Sequence, residues 1–391
     1  MEERTEPTLH GELRSNAALT RGGPEIEDPL PGSAAHGSAP SFGATRRFFQ
    51  RNGMKLAASL SLGAGIAWLL ARGGLPLVPQ ASAFAAVRWW TVPLYVGLLI
   101  VGHFVRAVRW RFLLRPLGQV PARSVLAVSW IAFAAILLLP LRSGEIVRPY
   151  LITKRGSVRL WEATATIGAE RILDGLVMSL GLFTALQLSS PLSPLPDRIG
   201  DLALPVAALP GAAYSLLTLF LAAFAVMGLF FWRRDLARRL THRVLGVVSH
   251  RLADRLAGVV ERVADGLRFL PAGRLMAPFL LETAVYWIAN AFGLWLLAWG
   301  AGLPGISAAE ACVTLGCICI GILVPAGPGY FGIFQLSAFM GLAMFFPEDV
   351  LQGPAAAFVF LLYSCQIGWH VIAGIVGLIL DRDAVNPAAI A

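Results

Sequence analysis

The sequence predicts an all-α fold, a polytopic helical membrane protein of about six full spans plus two broken or re-entrant helical hairpins in an inverted repeat. Three observations lead there. Of 391 residues, 57% are hydrophobic and only 14% charged, against about 25% charged in an ordinary globular domain. The apolar residues fall in runs long enough to cross a bilayer. Two of those runs are interrupted by proline and glycine, in PLRSGEIVRPY at 140–150 and VPAGPGYFGIF at 324–334. Pro140 and Gly144 recur 185 residues later as Pro325 and Gly329, and the same offset relates Trp110 to Trp295. Broken helices at matching positions of two halves are the best sequence pointer to a transporter's central site, because non-helical backbone at membrane depth must be protein-buried or line a wet cavity.

Residues 1–45 are rich in Pro, Gly, Ala and Ser with scattered acids, the composition of a disordered tail. The first apolar run starts only near Leu56, too late for a signal peptide, so it reads as an uncleaved anchor with the N-terminus in the cytoplasm. Apolar segments follow at 56–71, 89–105, 124–140, 160–188, 204–232, 276–300, 308–325, 331–346 and 354–380. Arg46, Arg47, Arg51 and Lys55 place the first flank inside under the positive-inside rule, as do the arginines from Arg106 to Arg123 for the end of the second segment. A full crossing by 124–140 would put Arg142, Arg148, Lys154, Arg155 and Arg159 outside. The conflict vanishes if 124–150 enters from the cytoplasm, breaks at Pro140–Gly144 and returns. The pair 308–325 and 331–346 then forms the second broken hairpin, entered from outside. The domains are therefore a tail (1–45), a first membrane half (46–232), a linker (233–274), a second membrane half (275–382) and a C-terminal tail (383–391). In the linker, apolar residues from Leu236 to Leu270 recur at three- and four-residue spacing among ten arginines, which predicts a basic amphipathic helix on the cytoplasmic surface.

The formal charge of +9 belongs to the flanks of apolar runs and implies contact with anionic lipid headgroups, not nucleic acid. Cys312, Cys317, Cys319 and Cys365 all lie in apolar segments without accompanying His or carboxylate ligands, so no metal, cofactor or disulfide framework is expected. No HExxH, GxSxG, P-loop or dinucleotide pattern occurs, and the expectation is that the chain is not an enzyme.

The candidate site residues lie on the two breaks and on one apolar run. Arg142, Glu145 and Arg148 are three apart, followed by Tyr150; Pro149 biases Arg148 out of the helical region and should end that face. Glu170, Arg171 and Asp174 sit inside the run 160–188, where each mid-membrane charge costs about 2.5–3.5 kcal/mol and must pair or face water. Two readings stand side by side: arginines gripping a phosphate in a polar cavity, or an internal salt-bridge network binding nothing. The second break offers Gly327, Gly329, Tyr330 and the following Gln335, with free backbone amides suited to an anion. Glu282 and His370 read as hydrogen-bonded packing residues, and the arginines at 106–115 as topology signals or headgroup contacts.

The motifs LPLRSGEIVRPYLITKRGS at 139–157, GAERILDGL at 168–176 and VPAGPGYFGIFQ at 324–335 resemble the membrane region of lysylphosphatidylglycerol synthetases and the flippase-like proteins built on that region alone. The resemblance covers about residues 50–380. It implies a multi-pass protein of the cell inner membrane that moves a phosphate-bearing lipid, anionic, aminoacylated or polyprenyl-linked, between leaflets. Two-part members of that family carry a soluble transferase domain, and about ten residues after the last apolar segment leave no room for one here. The alternatives are a non-transporting scaffold for a separate lipid-modifying enzyme, favoured by the 233–270 helix, and an intramembrane transferase with Glu145 or Asp174 as base. The oligomeric state is not predicted.

Overall fold

The computed structural model describes residues 42–139, 144–199, 201–232, 273–324 and 327–381. The chain divides into Met1–Gln50 and Arg51–Ala391; Phe42–Gln50 of the first unit belong to helix α1, and everything below concerns the second. The expected amphipathic linker helix, Arg142 and Pro325 lie outside the described residues. Helix α1, Phe42–Arg72, opens inside the segment assigned to the tail. It is followed by α2 (Thr91–Val108), α3 (Trp110–Leu114), α4 (Ala122–Leu138), α5 (Val147–Thr153), α6 (Leu160–Leu188) and α7 (Leu209–Trp232). The second half holds α8 (Gly273–Gly300), α9 (Ala308–Gly321), α10 (Ile333–Ala343), α11 (Glu348–Gln352) and α12 (Pro354–Leu380). Strands β1 (Arg198–Ile199) and β2 (Leu202–Ala203) form one small hairpin.

Among the described residues five stretches are long and apolar enough to cross a membrane: Thr91–Leu114, Leu160–Leu188, Val206–Leu229, Gly273–Gly300 and Glu348–Leu380. Ala57–Arg72, Ala122–Leu138 and Ala308–Gly321 are shorter apolar helices. The all-α membrane class is thus confirmed, with five long helices where about six spans were expected. Large apolar side chains such as Leu219, Leu281 and Ile288 stay exposed on these helices. In water such a surface would drive aggregation; against acyl chains it is the resting state.

Both interruptions break the helices. Helix α4 ends at Leu138, a 3-10 turn occupies 144–146, and α5 starts at Val147. Helix α9 ends at Gly321, a 3-10 turn spans Pro328–Tyr330, and α10 starts at Ile333. The order long helix, medium helix, 3-10 turn, short helix therefore occurs twice: starts at 91, 122, 144 and 147 in the first half answer starts at 273, 308, 328 and 333 in the second. The register read from two prolines, two glycines and two tryptophans extends to whole elements.

The glycines of the two breaks do different work. A Cβ on Gly144 would overlap the backbone of Ala135 and Ile136, so this glycine lets the turn lie directly on α4. Gly329 instead has φ +73°, a left-handed conformation that glycine adopts without penalty, and Tyr330 follows it at φ +53°. Gly144→Ala is expected to cost about 1–3 kcal/mol by overpacking. Gly97→Ala, whose Cβ meets nothing within 4 Å, should be neutral in the same thermal unfolding measurement in detergent.

Helices α2 and α8 pack antiparallel, with Thr91 against Gly300, Tyr95 against Gly293 and Gly102 against Asn290. Helices α4 and α12 form a second close pair, with Ala134 against Gly374 and Ala127 against Gly377. The loops consequently gather at two ends. At one, the Asp201 amide donates to Gly73 O, that of Leu192 to Met344 O and that of Arg88 to Gly300 O. At the other, Arg155 holds Asp381 at 2.9 and 3.3 Å, and α3 packs on α8 near Phe279. Helix α4 starts beside Arg123 at the second end, and α9 starts at Ser307 beside the loops of the first. Its start is fixed by a capping box: Ser307 Oγ accepts from the Glu310 amide, and Glu310 Oε2 accepts from the Ser307 amide at 2.8 Å.

Candidate functional site: a basic cavity beside a buried ion cluster

Helix α6 is the centre of the polar interior. Glu170 and Asp174, one turn apart, both face inward and are buried. Arg109, between α2 and α3, donates to Glu170 Oε1 at 3.3 Å, to Asp174 Oδ2, and to Thr283 Oγ1 of α8 at 2.8 Å. Arg148 of α5 donates to Glu170 Oε2 at 2.9 Å, and its guanidinium lies 4.1 Å over the Trp110 ring. Trp110 Nε1 in turn donates to Thr166 Oγ1 at 3.0 Å. Arg109 and Glu170 are fully buried and Arg148 is 1% exposed. Two cations and two anions therefore close a neutral network that ties the first break to α2, α6 and α8.

Arg109 is the residue that sequence reading missed. Positive-inside bias explained all arginines from 106 to 115 equally well, whereas Arg109 is buried within the bundle, not touching headgroups. Arg148 departs from expectation too. Pro149 does not expel it from a helix; α5 begins around it. Proline is tolerated in a helix's first turn, where its missing N–H would have had no intrahelical partner. Glu145, on the 144–146 turn, is exposed while Arg148 is buried, so the two do not share a face. Tyr150 is 53% exposed, with Lys154 Nζ 5.8 Å over its ring, and stands away from the cluster.

Beside this network lies a cavity of about 180 Å³, walled by both halves of the chain. Helices α2 and α6 contribute His103, Arg106 and Arg171; α8 contributes Tyr286, Trp287 and Asn290; the second break contributes Gly329 and Tyr330; and α12 contributes Tyr363, Gln366 and His370. Arg106 places its guanidinium 4.6 Å over Phe133 and 5.4 Å over Tyr286. Its Nε is buried without a hydrogen-bond partner. Among the described residues neither Arg106 nor Arg171 has a carboxylate within ion-pair distance. His103 and His370 meet edge to face at 4.3 Å, with His370 Nδ1 2.7 Å from Gln366 O. His370 was expected only to pack, and it does so while lining the cavity. Glu282 is taken by Arg111 at 2.9 Å.

Of the second break, Gly329 and Tyr330 reach the cavity, while Gly327 packs on Ser59 and Gly63 of α1. Gln335 does not: buried, its Oε1 accepts from the Gly332 amide at 2.8 Å and caps α10. That cap consumes one of the amides an anion could have used. The four cysteines are free, with Cys319 on the cavity wall, and no His, Cys, Asp or Glu group among the described residues is arranged to hold a metal.

A second, apolar groove of about 210 Å³ adjoins the cavity. Gly181 and Leu182 of α6, Ile288 and Ala291 of α8 and Gly316 of α9 line it, and Trp287 and Leu315 border both spaces. Trp287 Nε1 is buried without a partner at this junction. Ile288 on the groove wall and the neighbouring Leu180 are exposed apolar residues.

No curated protein and no solved structure matches the chain significantly. The family profile of the Lysylphosphatidylglycerol synthase TM region matches residues 56–374, which include the ion cluster, the cavity, the groove and both breaks. With more than three quarters of its length matched, this integral membrane protein belongs to the Lysylphosphatidylglycerol synthase TM region family.

Proposed function

We propose that the protein is a lipid translocase of the cell inner membrane, which holds a phosphate-bearing headgroup in the basic cavity while an acyl chain leaves through the adjoining groove. The observation that carries this reading is the pair of arginines, Arg106 and Arg171, facing the cavity without carboxylate partners. Guanidinium groups without a direct ion pair in a low-dielectric interior are costly, and an anionic ligand relieves that cost. Guanidinium forks also match phosphate oxygens. A polar cavity that shares its Trp287 and Leu315 walls with an apolar groove suits an amphiphile, which a soluble ion would not need.

The loop ends support an orientation. Arg115, Arg123, Lys154, Arg155 and Arg159 gather at one end, which we take as the cytoplasmic side under the positive-inside rule; Arg51 and Lys55 at the flank of the first apolar run assign the N-terminus to the same side by the same rule. Asp197, Asp201, Glu310, Glu348 and Asp349 gather with few basic residues at the other. In this frame the α4–α5 and α9–α10 pairs are re-entrant, entering from opposite faces as an inverted repeat, and the cavity lies where their tips approach. The chain carries the lipid without chemically changing it.

The test is leaflet exchange of a fluorescent phospholipid in proteoliposomes, read by dithionite quenching. The purified protein is expected to raise exchange well above protein-free vesicles, and Arg106→Gln or Arg171→Gln to reduce it at least about tenfold, the scale of one charge-assisted hydrogen bond. Exchange no faster than in empty vesicles would sink the reading.

A further inference from the structure

We infer that the cavity selects a headgroup of net negative charge, a phosphodiester with an uncharged remainder, and rejects the same headgroup once an aminoacyl cation has been added. The inference deepens the translocase reading and rests on it for the identity of the ligand as a lipid.

It follows from what the cavity offers and what it lacks. The charged lining residues are Arg106 and Arg171, joined by the bases His103 and His370; no described lining residue is a carboxylate. The nearby acids lie off the described lining, and Asp174 leaves its Oδ1 buried without a hydrogen-bond partner. Glu170 is shared between Arg109 and Arg148, and Asp174 is held by Arg109. Asp174 is off the lining, and Glu145 is exposed outside it. A bound ammonium would therefore meet no carboxylate among the described lining residues.

The other way to hold an ammonium is an aromatic cage. Of the lining aromatics, Phe133 and Tyr286 already carry the protein's own cation, Arg106, whose charge opposes an ammonium brought to the neighbouring Tyr330, Phe334 and Tyr363. The remaining polar atom at the junction, Trp287 Nε1, is a buried donor without a partner, which can receive a phosphate or hydroxyl oxygen but not an ammonium. A phosphodiester thus meets two forks and a donor, whereas each added amine meets two fixed positive charges in a medium of low dielectric. The match to the family leaves open which lipid each member carries, and in this chain the side chains oppose a lysylated one.

The experiment measures binding and movement separately. Short-chain phosphatidylglycerol and short-chain lysyl-phosphatidylglycerol are titrated against the full chain in detergent at fixed salt, read by native mass spectrometry, with leaflet exchange of both lipids measured in proteoliposomes. Phosphatidylglycerol is expected to bind at least about tenfold more tightly, as like-charge juxtaposition opposes the lysylated form. Asn290→Asp, which puts one carboxylate on the lining, is expected to narrow that ratio or reverse it. Equal or tighter binding of the lysylated lipid by the wild-type protein overturns the inference; should Asn290→Asp fail to fold, this wild-type comparison still decides.

Exchange of both lipids at equal rates without a binding preference also overturns the inference while leaving the translocase reading intact. A binding preference without exchange overturns the translocase reading and leaves the charge selection standing. Inorganic phosphate is the third probe. If it displaces the lipid at concentrations comparable to the lipid's own, the cavity is a site for the free anion and the lipid assignment falls.

Discussion

Glu170→Ala is expected to destabilise the protein by about 3–5 kcal/mol, the cost of leaving a buried charge uncompensated. Glu170 accepts from Arg109 with one oxygen and from Arg148 with the other. Arg109 would keep Asp174 and Thr283. Arg148 would keep only the Trp110 and Phe133 faces, since its Nε and Nη2 already lack hydrogen-bond partners and the residue is 1% exposed. Asp174→Asn should cost less, about 1.5–3 kcal/mol, because Arg109 keeps its bonds to Glu170 and Thr283 and the introduced amide carbonyl can still accept from it. The double change Glu170→Leu with Arg148→Met should recover most of the loss, as apolar replacements of buried pairs often do. Thermal unfolding of the detergent-purified variants orders the three. A Glu170→Ala protein within about 1 kcal/mol of wild type would show that the cluster does not hold the first break in place.

Gly181→Trp is expected to stop lipid movement while sparing the fold. Gly181 lines the apolar groove, and a Cβ built there meets no atom within 4 Å. An indole has open space to occupy, so little overpacking results, yet it stands on the proposed route of the acyl chain. Leaflet exchange should fall at least about tenfold with an unchanged unfolding temperature, a rate change equivalent to about 1.4 kcal/mol. Gly97→Trp is the matched control: equally open, on the exposed side of α2 and away from both spaces. Equal exchange by the two variants would remove the groove from the route.

The fold was legible where backbone chemistry is written in residue type. Proline and glycine at 140, 144, 325 and 329 marked both breaks, and their shared register foretold the repeated order of elements. Glu170 and Asp174 were legible because a charge inside an apolar run has few cheap explanations. Arg106 and Arg109 were hidden for the opposite reason: arginines at the end of a span have a cheap explanation, and nothing in the spacing separates a buried one from a flanking one. The aromatic and histidine walls of the cavity could not be told from core, because whether His103 or Tyr363 faces a space depends on how helices distant in sequence rotate against each other. Glu145 and Tyr150 were misplaced by the same ambiguity, since the rotation of a short helix after a break is set by what packs on it.

The surplus of two positive charges in the cavity has an electrical consequence. Moving one elementary charge through the whole membrane potential is worth about 2.3 kcal/mol per 100 mV. Any rearrangement that carries Arg106 and Arg171 along the membrane normal is therefore weighted by voltage most strongly when the cavity is empty. A bound monoanion halves the moving charge. In the proposed translocation cycle the cell's resting potential would then act mainly on the return of the unloaded protein, giving that cycle a rectifying bias.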